Sequence, residues 1–341
     1  MVGVPGVSAV LVDRHHADLF YGLQRLLEDR LDLTVYTPIG QEWWDAGVWQ
    51  FGIGYGDDRL ARQFLAIDAR HREIEPGIFL TFDPCHPERP ILGITLEAAG
   101  RMRWKAVVAT VQDNQAGFWS FARAVGAEYV YQVGNTRQEV DWGLDPVVLN
   151  ATKDVPILGR GVRIGQEIDL DMTFRFREPP ADRRSVGSFV NMLNLIPEAW
   201  EGFAGLQARL EGWRFRSFGH HCPDGVLQPV AHIAEQMART GWAYHDKVTG
   251  DGFGHVLHNW GAVGRPLIGH GRYYRGQRGE ALWRDLETCI DLDRHSLDEV
   301  AEILEGIGEE EYGAMCHAIR RAVVESCDWE ADAEAVRSVL L

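Results

Sequence analysis

Residues 249–269 read TGDGFGHVLHNWGAVGRPLIG, and they carry the densest chemical signal in the chain. Gly252 and Gly254, on either side of Phe253, let the backbone approach a ligand closely. From His255 the spacing predicts a helix over 255–263, with Gly264 as its C-terminal cap and Pro266 as its stop. The first turn of such a helix offers backbone N–H groups and a positive dipole end, which suit a phosphate. Lys247, four residues before Asp251, is placed to add a point charge, with an ordinary surface lysine as the equal alternative. Arg216, on a strand that ends at Gly219, is a weaker phosphate candidate. Ser188 and Phe189, followed by Asn191, lie where the first strand of a second α/β series ends.

A second set lies in the N-terminal half. His15 and His16 follow the first strand, where an imidazole can take a proton from a hydroxyl near neutral pH. Asp13 and Asp18 are placed to orient one of them, and a buried structural histidine is the competing reading. Trp43, Trp44 and Trp49, with Glu42 and Asp45, combine aromatic faces and carboxylates, equipment for stacking a sugar or a base that also serves core or lid packing. Asp83 and His86 in FDPCHP, and Asn135 after Gly134, also end strands on the presumed ligand side. His220-His221-Cys222-Pro223-Asp224 has metal-binding residue types, but adjacent residues seldom hold one ion without further ligands. A ligand loop is preferred there, and no metal site is expected.

In its glycine-rich run the chain resembles the C-terminal domain of GT-B-fold glycosyltransferases, especially retaining enzymes that use nucleotide-diphospho sugars. The resemblance rests on Asp251, then Gly252-Phe253-Gly254, then Asn259 eight positions after Asp251, then Gly261-Ala262-Val263-Gly264-Arg265-Pro266. The family pattern has an acidic residue at both ends of that spacing; here the first is aspartate and the second asparagine. The resemblance implies that Asp251 lies near the donor sugar. It implies that amides around Gly254 and His255 hold the diphosphate, and that Asn259 faces the ribose. Asn259 has no charge but can still hydrogen-bond a hydroxyl.

These residues need elements to position them. The opening is β-α-β: a strand within 7–12, a helix over 17–31 with Leu19, Phe20, Leu23, Leu26 and Leu27 at helical spacing, and a strand over 33–36. Strands are predicted at 77–82, 104–110 and 128–133, with a helix at 115–125. Residues 146–159 read as a connection between domains. A second series follows: strands at 185–190, 213–218, 242–245 and 266–268, and helices from Pro197 to about 211 and at 230–239. Ser296 to Glu299 is a capping box, and helical stretches follow at 309–326 and 329–341. The expected fold is α/β, two Rossmann-like doubly wound domains facing a cleft. The expected domains are 1–155 on the acceptor side, 156–325 on the sugar-nucleotide donor side, and a helix over 326–341 packing back on the first.

The totals agree with this plan. A chain of 341 residues exceeds what one hydrophobic core usually serves. The net charge of −16 works against non-specific nucleic-acid binding. Arginines at 175, 177, 183 and 184, and at 272, 275 and 278, read as solvated faces or a small-anion site. Five scattered cysteines fit reduced thiols, and neither a signal peptide nor a membrane span is expected, so the protein is read as cytoplasmic. The expected function is sugar transfer from a nucleotide-diphospho sugar, UDP-linked first, to a hydroxyl, without a permanently bound cofactor or a metal. Small molecules, glycans, proteins and a hydroxymethylated base of phage DNA are all open as acceptors. A nucleotide-dependent oxidoreductase is the alternative from another class, resting on Gly52-Ile53-Gly54-Tyr55-Gly56, which lacks the full dinucleotide-binding spacing. A non-catalytic sugar-nucleotide-binding module is a third.

Overall fold

The computed structural model describes residues 168, 170–227, 230–248, 254–328, 330–332 and 334–335, and, before these, six short strands. Contacts divide the chain into two compact units, residues 1–167 with 328–341, and residues 168–327.

In the first unit, β1 (Ala9–Val10) pairs in parallel with β2 (Val35–Tyr36). A second, four-stranded parallel sheet runs in sequential order: β3 (Ala106–Ala109), β4 (Tyr129–Gln132), β5 (Val147–Asn150) and β6 (Gly161–Arg163). Strand β5 corrects the expectation that residues 146–159 connect domains. Val147-Val148-Leu149 is a short apolar run rich in β-branched residues, and it pairs along its whole length with β4. The helices expected at 17–31 and 115–125 and the strand at 77–82 lie outside the described residues.

The second unit is a five-stranded, wholly parallel sheet in the order β11-β10-β9-β7-β8. Its strands are β7 (Ser185–Ser188), β8 (Arg214–Ser217), β9 (Trp242–Tyr244), β10 (Leu267–Gly269) and β11 (Cys289–Asp291). Strands β7, β9 and β10 are buried at every position, as strands covered on both faces must be. At the edge, β8 alternates exposed Arg214 and Arg216 with half-buried Phe215, and its charges discourage pairing with another chain. The unpredicted β11 has only three residues and follows two 3-10 turns, Gly271–Tyr274 and Arg278–Leu282, too short a segment to show a period.

Among the described residues, five α-helices accompany this sheet. In α1 (Pro197–Arg209), proline occupies the first turn and Ala199, Phe203 and Leu206 form the buried stripe. The others are α2 (Val230–Arg239), α3 (His255–Ala262), α4 (Leu297–Gly306) and α5 (Glu309–Ser326). The predicted capping box is present on α4: Ser296 Oγ accepts from the Glu299 amide, and Glu299 accepts from the Ser296 amide at 2.7 Å. Three glutamates in the first turn of α5 complement its dipole. Its buried face carries Tyr312, Cys316 and Ile319. Burial pushes the Cys316 thiol up to about 11. Among the described residues, no helix is long and apolar enough to cross a membrane.

The order places a reversal between β7 and β9. From β7 the chain steps outward to β8, then returns to lay β9 on the other side of β7. Ligands of open α/β sheets bind beyond the carboxyl ends of the strands at such a switch point.

Candidate functional site

Four strand ends and one helix start define this edge of the second unit. At the end of β7, Ser188 is fully buried and its Oγ accepts from the Val190 amide at 3.3 Å, turning the chain. Phe189 stacks on Phe218, which follows β8, with ring centroids 5.1 Å apart, and tilts against Trp260 of α3 at 5.4 Å. Gly187 makes room for that packing, since a Cβ there would lie 3.2 Å from the Trp260 ring and 3.0 Å from Thr240. Both candidates at this end therefore support the floor of the edge. Arg216 is exposed, and its guanidinium lies 2.5 Å from the Asp224 carboxylate, which also accepts from the Ser217 amide at 2.7 Å.

Gly254 starts α3 in a left-handed conformation, φ 69°, and supplies no side-chain cap to the first turn. Its carbonyl accepts from the His258 amide at 2.9 Å and from His258 Nδ1 at 3.0 Å. His255 is the first helical residue, and one turn later Asn259 Nδ2 donates to His255 Nδ1 at 3.4 Å. Asn259 is 7 % exposed, and its Oδ1 is buried without a partner among the described residues. A buried acceptor left unsatisfied is costly, and a ligand hydroxyl is the kind of group that would satisfy it. Lys247 is half-buried, two residues beyond His245 at the end of β9.

Two residues that carried no signal in the sequence reading complete the edge. Asp246, after β9, is fully buried, and His270, directly after β10, donates to it from Nδ1 at 2.9 Å. Burial, with Asp246 second, holds the Tyr244 hydroxyl protonated well above its usual range. Both follow parallel strands at their carboxyl ends, the position at which open α/β sheets meet ligands. Beyond them, Asp291 Oδ1 accepts from the Gly271 amide at 3.0 Å, and Asp293 pairs with Arg272. A second carboxylate–imidazole pair, Asp285 and His295, lies 3.0 Å apart.

In the candidate metal cluster, Cys222 Sγ instead donates to the Val190 carbonyl at 3.2 Å, and His221 is exposed with φ 59°. Among the described residues, no group of three or more metal-ligating side chains is assembled. Asp13, His15, His16, Trp43, Trp44, Asp83, His86, Asn135, Asp251, Gly252 and Phe253 lie outside the described residues.

No family model and no curated protein matches the chain. Solved structures do. Anabaena HepE in complex with UDP-glucose is similar over 98% of this chain and 99% of its own, with TM-score 0.60 at 10% identity. A glycosyltransferase from Rickettsia africae covers 98% of each chain at TM-score 0.61 and 9% identity. The N-terminal domain of a Candida albicans trehalose-6-phosphate phosphatase is similar over the whole chain at TM-score 0.50 and 9% identity. The chain has the GT-B fold of glycosyltransferases, as its glycine-rich run implied.

Proposed function

We propose that this protein is a glycosyltransferase that moves a sugar from a nucleotide-diphospho sugar, UDP-linked first, to a hydroxyl acceptor. The amino end of α3 carries the reading: Gly254 leaves the first turn without a side-chain cap, and Asn259 holds a buried, unsatisfied oxygen five residues on. The α3 amides then take the diphosphate, Asn259 Oδ1 accepts from the ribose, and Asp251 lies near the sugar. Helix N–H donors stabilise the departing diphosphate as the acceptor hydroxyl attacks the anomeric carbon. His15 or His16 accepts the hydroxyl proton if the reaction inverts. The scheme needs no metal. A structure of similar fold, HepE, holds UDP-glucose, which supports UDP as the nucleotide to test first. The scattered cysteines support a reducing, cytoplasmic setting.

Thermal unfolding with UDP, GDP, ADP, TDP and NAD tests this reading. A ligand at about 100 times its Kd adds roughly 2.7 kcal/mol. A rise with UDP that disappears in G254V is expected. A rise with NAD alone would replace the reading with an oxidoreductase.

A further inference from the structure

Asp246 and His270 follow neighbouring parallel strands, β9 and β10, so both emerge where an open α/β sheet meets its ligand. The Asp246 carboxylate has no exposure to water. Its Oδ2 accepts from His270 Nδ1 at 2.9 Å, and its Oδ1 accepts from the His270 backbone amide at 3.3 Å. The Tyr244 hydroxyl lies 3.4 Å from Oδ2, but its one proton has a nearer acceptor in the Ala199 carbonyl at 2.9 Å. The two principal donors to a buried carboxylate thus belong to one residue. Burying a carboxylate is costly, and a neutral side chain would fill the space more cheaply. What the charge supplies is an orientation for the ring.

That orientation has a chemical consequence. An ionised carboxylate only accepts, so the neutral ring carries its proton on Nδ1 and presents a bare lone pair at Nε2. Nε2 has no partner among the described residues, and the side chain keeps 18% exposure. The Tyr273 ring backs the imidazole at a centroid distance of 5.4 Å. The next residue is pinned as well: the Gly271 amide is held by Asp291, and a Cβ on Gly271 would lie 2.9 Å from that carboxylate. A bare acceptor lone pair has no hydrogen to offer a phosphate oxygen and suits a hydroxyl, which can donate to it.

We propose that His270 contacts the donor, its Nε2 accepting a hydrogen bond from a hydroxyl of the sugar, with Asp246 as the positioning residue that fixes the tautomer. This rests on the sugar-nucleotide reading above, and it divides the edge into an α3 end for the diphosphate and a β10 end for the sugar. Calorimetric titration of the full chain with UDP-glucose and with UDP separates the two. H270A is expected to bind UDP as the wild type does and UDP-glucose about tenfold more weakly. H270Q, whose amide oxygen can accept, recovers part of that loss. D246N offers one oxygen to two donors; it weakens UDP-glucose alone, and the His270 ring nitrogen shifts in 15N spectra move toward the Nε2–H tautomer. H270A that leaves both affinities unchanged, or lowers both equally, overturns the proposal while the sugar-nucleotide reading stands. A wild type that binds neither compound overturns the UDP-linked reading, and the proposal for His270 with it.

Discussion

The two ends of α3 are built on opposite principles. At its carboxyl end the protein satisfies the backbone. Gly264 adopts φ 82°, and the Arg265 amide reaches back to the Trp260 carbonyl at 2.9 Å. The buried Arg265 guanidinium then donates to five carbonyls, those of Arg177, Glu178, Ala238, Val263 and Gly264. Burial lowers its pKa from the usual value. From α5, Arg320 adds bonds to the carbonyls of Ala262, Phe174 and Leu170. At the amino end Gly254 offers no side-chain cap, and Asn259 keeps an unsatisfied oxygen. Among the described residues, α3 is thus tied to its own fold at the carboxyl end and receives no cap from its N-cap side chain at the amino end.

The largest effect should come from breaking the closed end. R265M removes the guanidinium that serves these five carbonyls and is expected to cost more than about 3 kcal/mol, read from the urea midpoint. A midpoint equal to wild type would show that this end does not depend on Arg265. At the open end the signs should part. N259L removes an unsatisfied buried oxygen without opening a cavity, so stability should hold or rise by up to about 1 kcal/mol while UDP-glucose affinity falls about tenfold. Loss of stability with unchanged affinity would make Asn259 a structural residue.

The smallest effect belongs to α4, whose amino end the protein closes for itself. S296A should cost about 1 kcal/mol. The Ser296 amide, and then its hydroxyl, hold the Glu299 carboxyl below the usual carboxylate value. A folded-state value below the unfolded one gives stabilisation that is complete above the ordinary pKa of about 4.3 and is lost as pH falls through the folded value. The gap between wild type and S296A should therefore narrow on acidification; a gap that widens would show that Glu299 does not complete the cap.

Much of this comparison was legible in the chain. Gly264 and Pro266 bracket the end of α3, and Ser296 with Glu299 announces α4, because these signals are local. The strand Val147–Asn150 was read as a connection, because a three-residue apolar run beside a proline has too little length to show a period. Arg265 read only as a residue of the motif. Its five acceptors come from as far as 88 residues away, a distance that no window spans.

The sequence alone determined the strands and helices from Ser185 to Ile268 and the caps of α3 and α4, since each follows from backbone preferences within a few residues. The tertiary structure decided the strand order, which places β9 between β7 and β10. That order turned an aspartate and a histidine 24 residues apart into a hydrogen-bonded pair. It also decided which polar atoms are buried, and burial is what gives Asn259 and Asp246 their energetic weight, because a polar group withdrawn from water must find its partner in the protein or in a ligand.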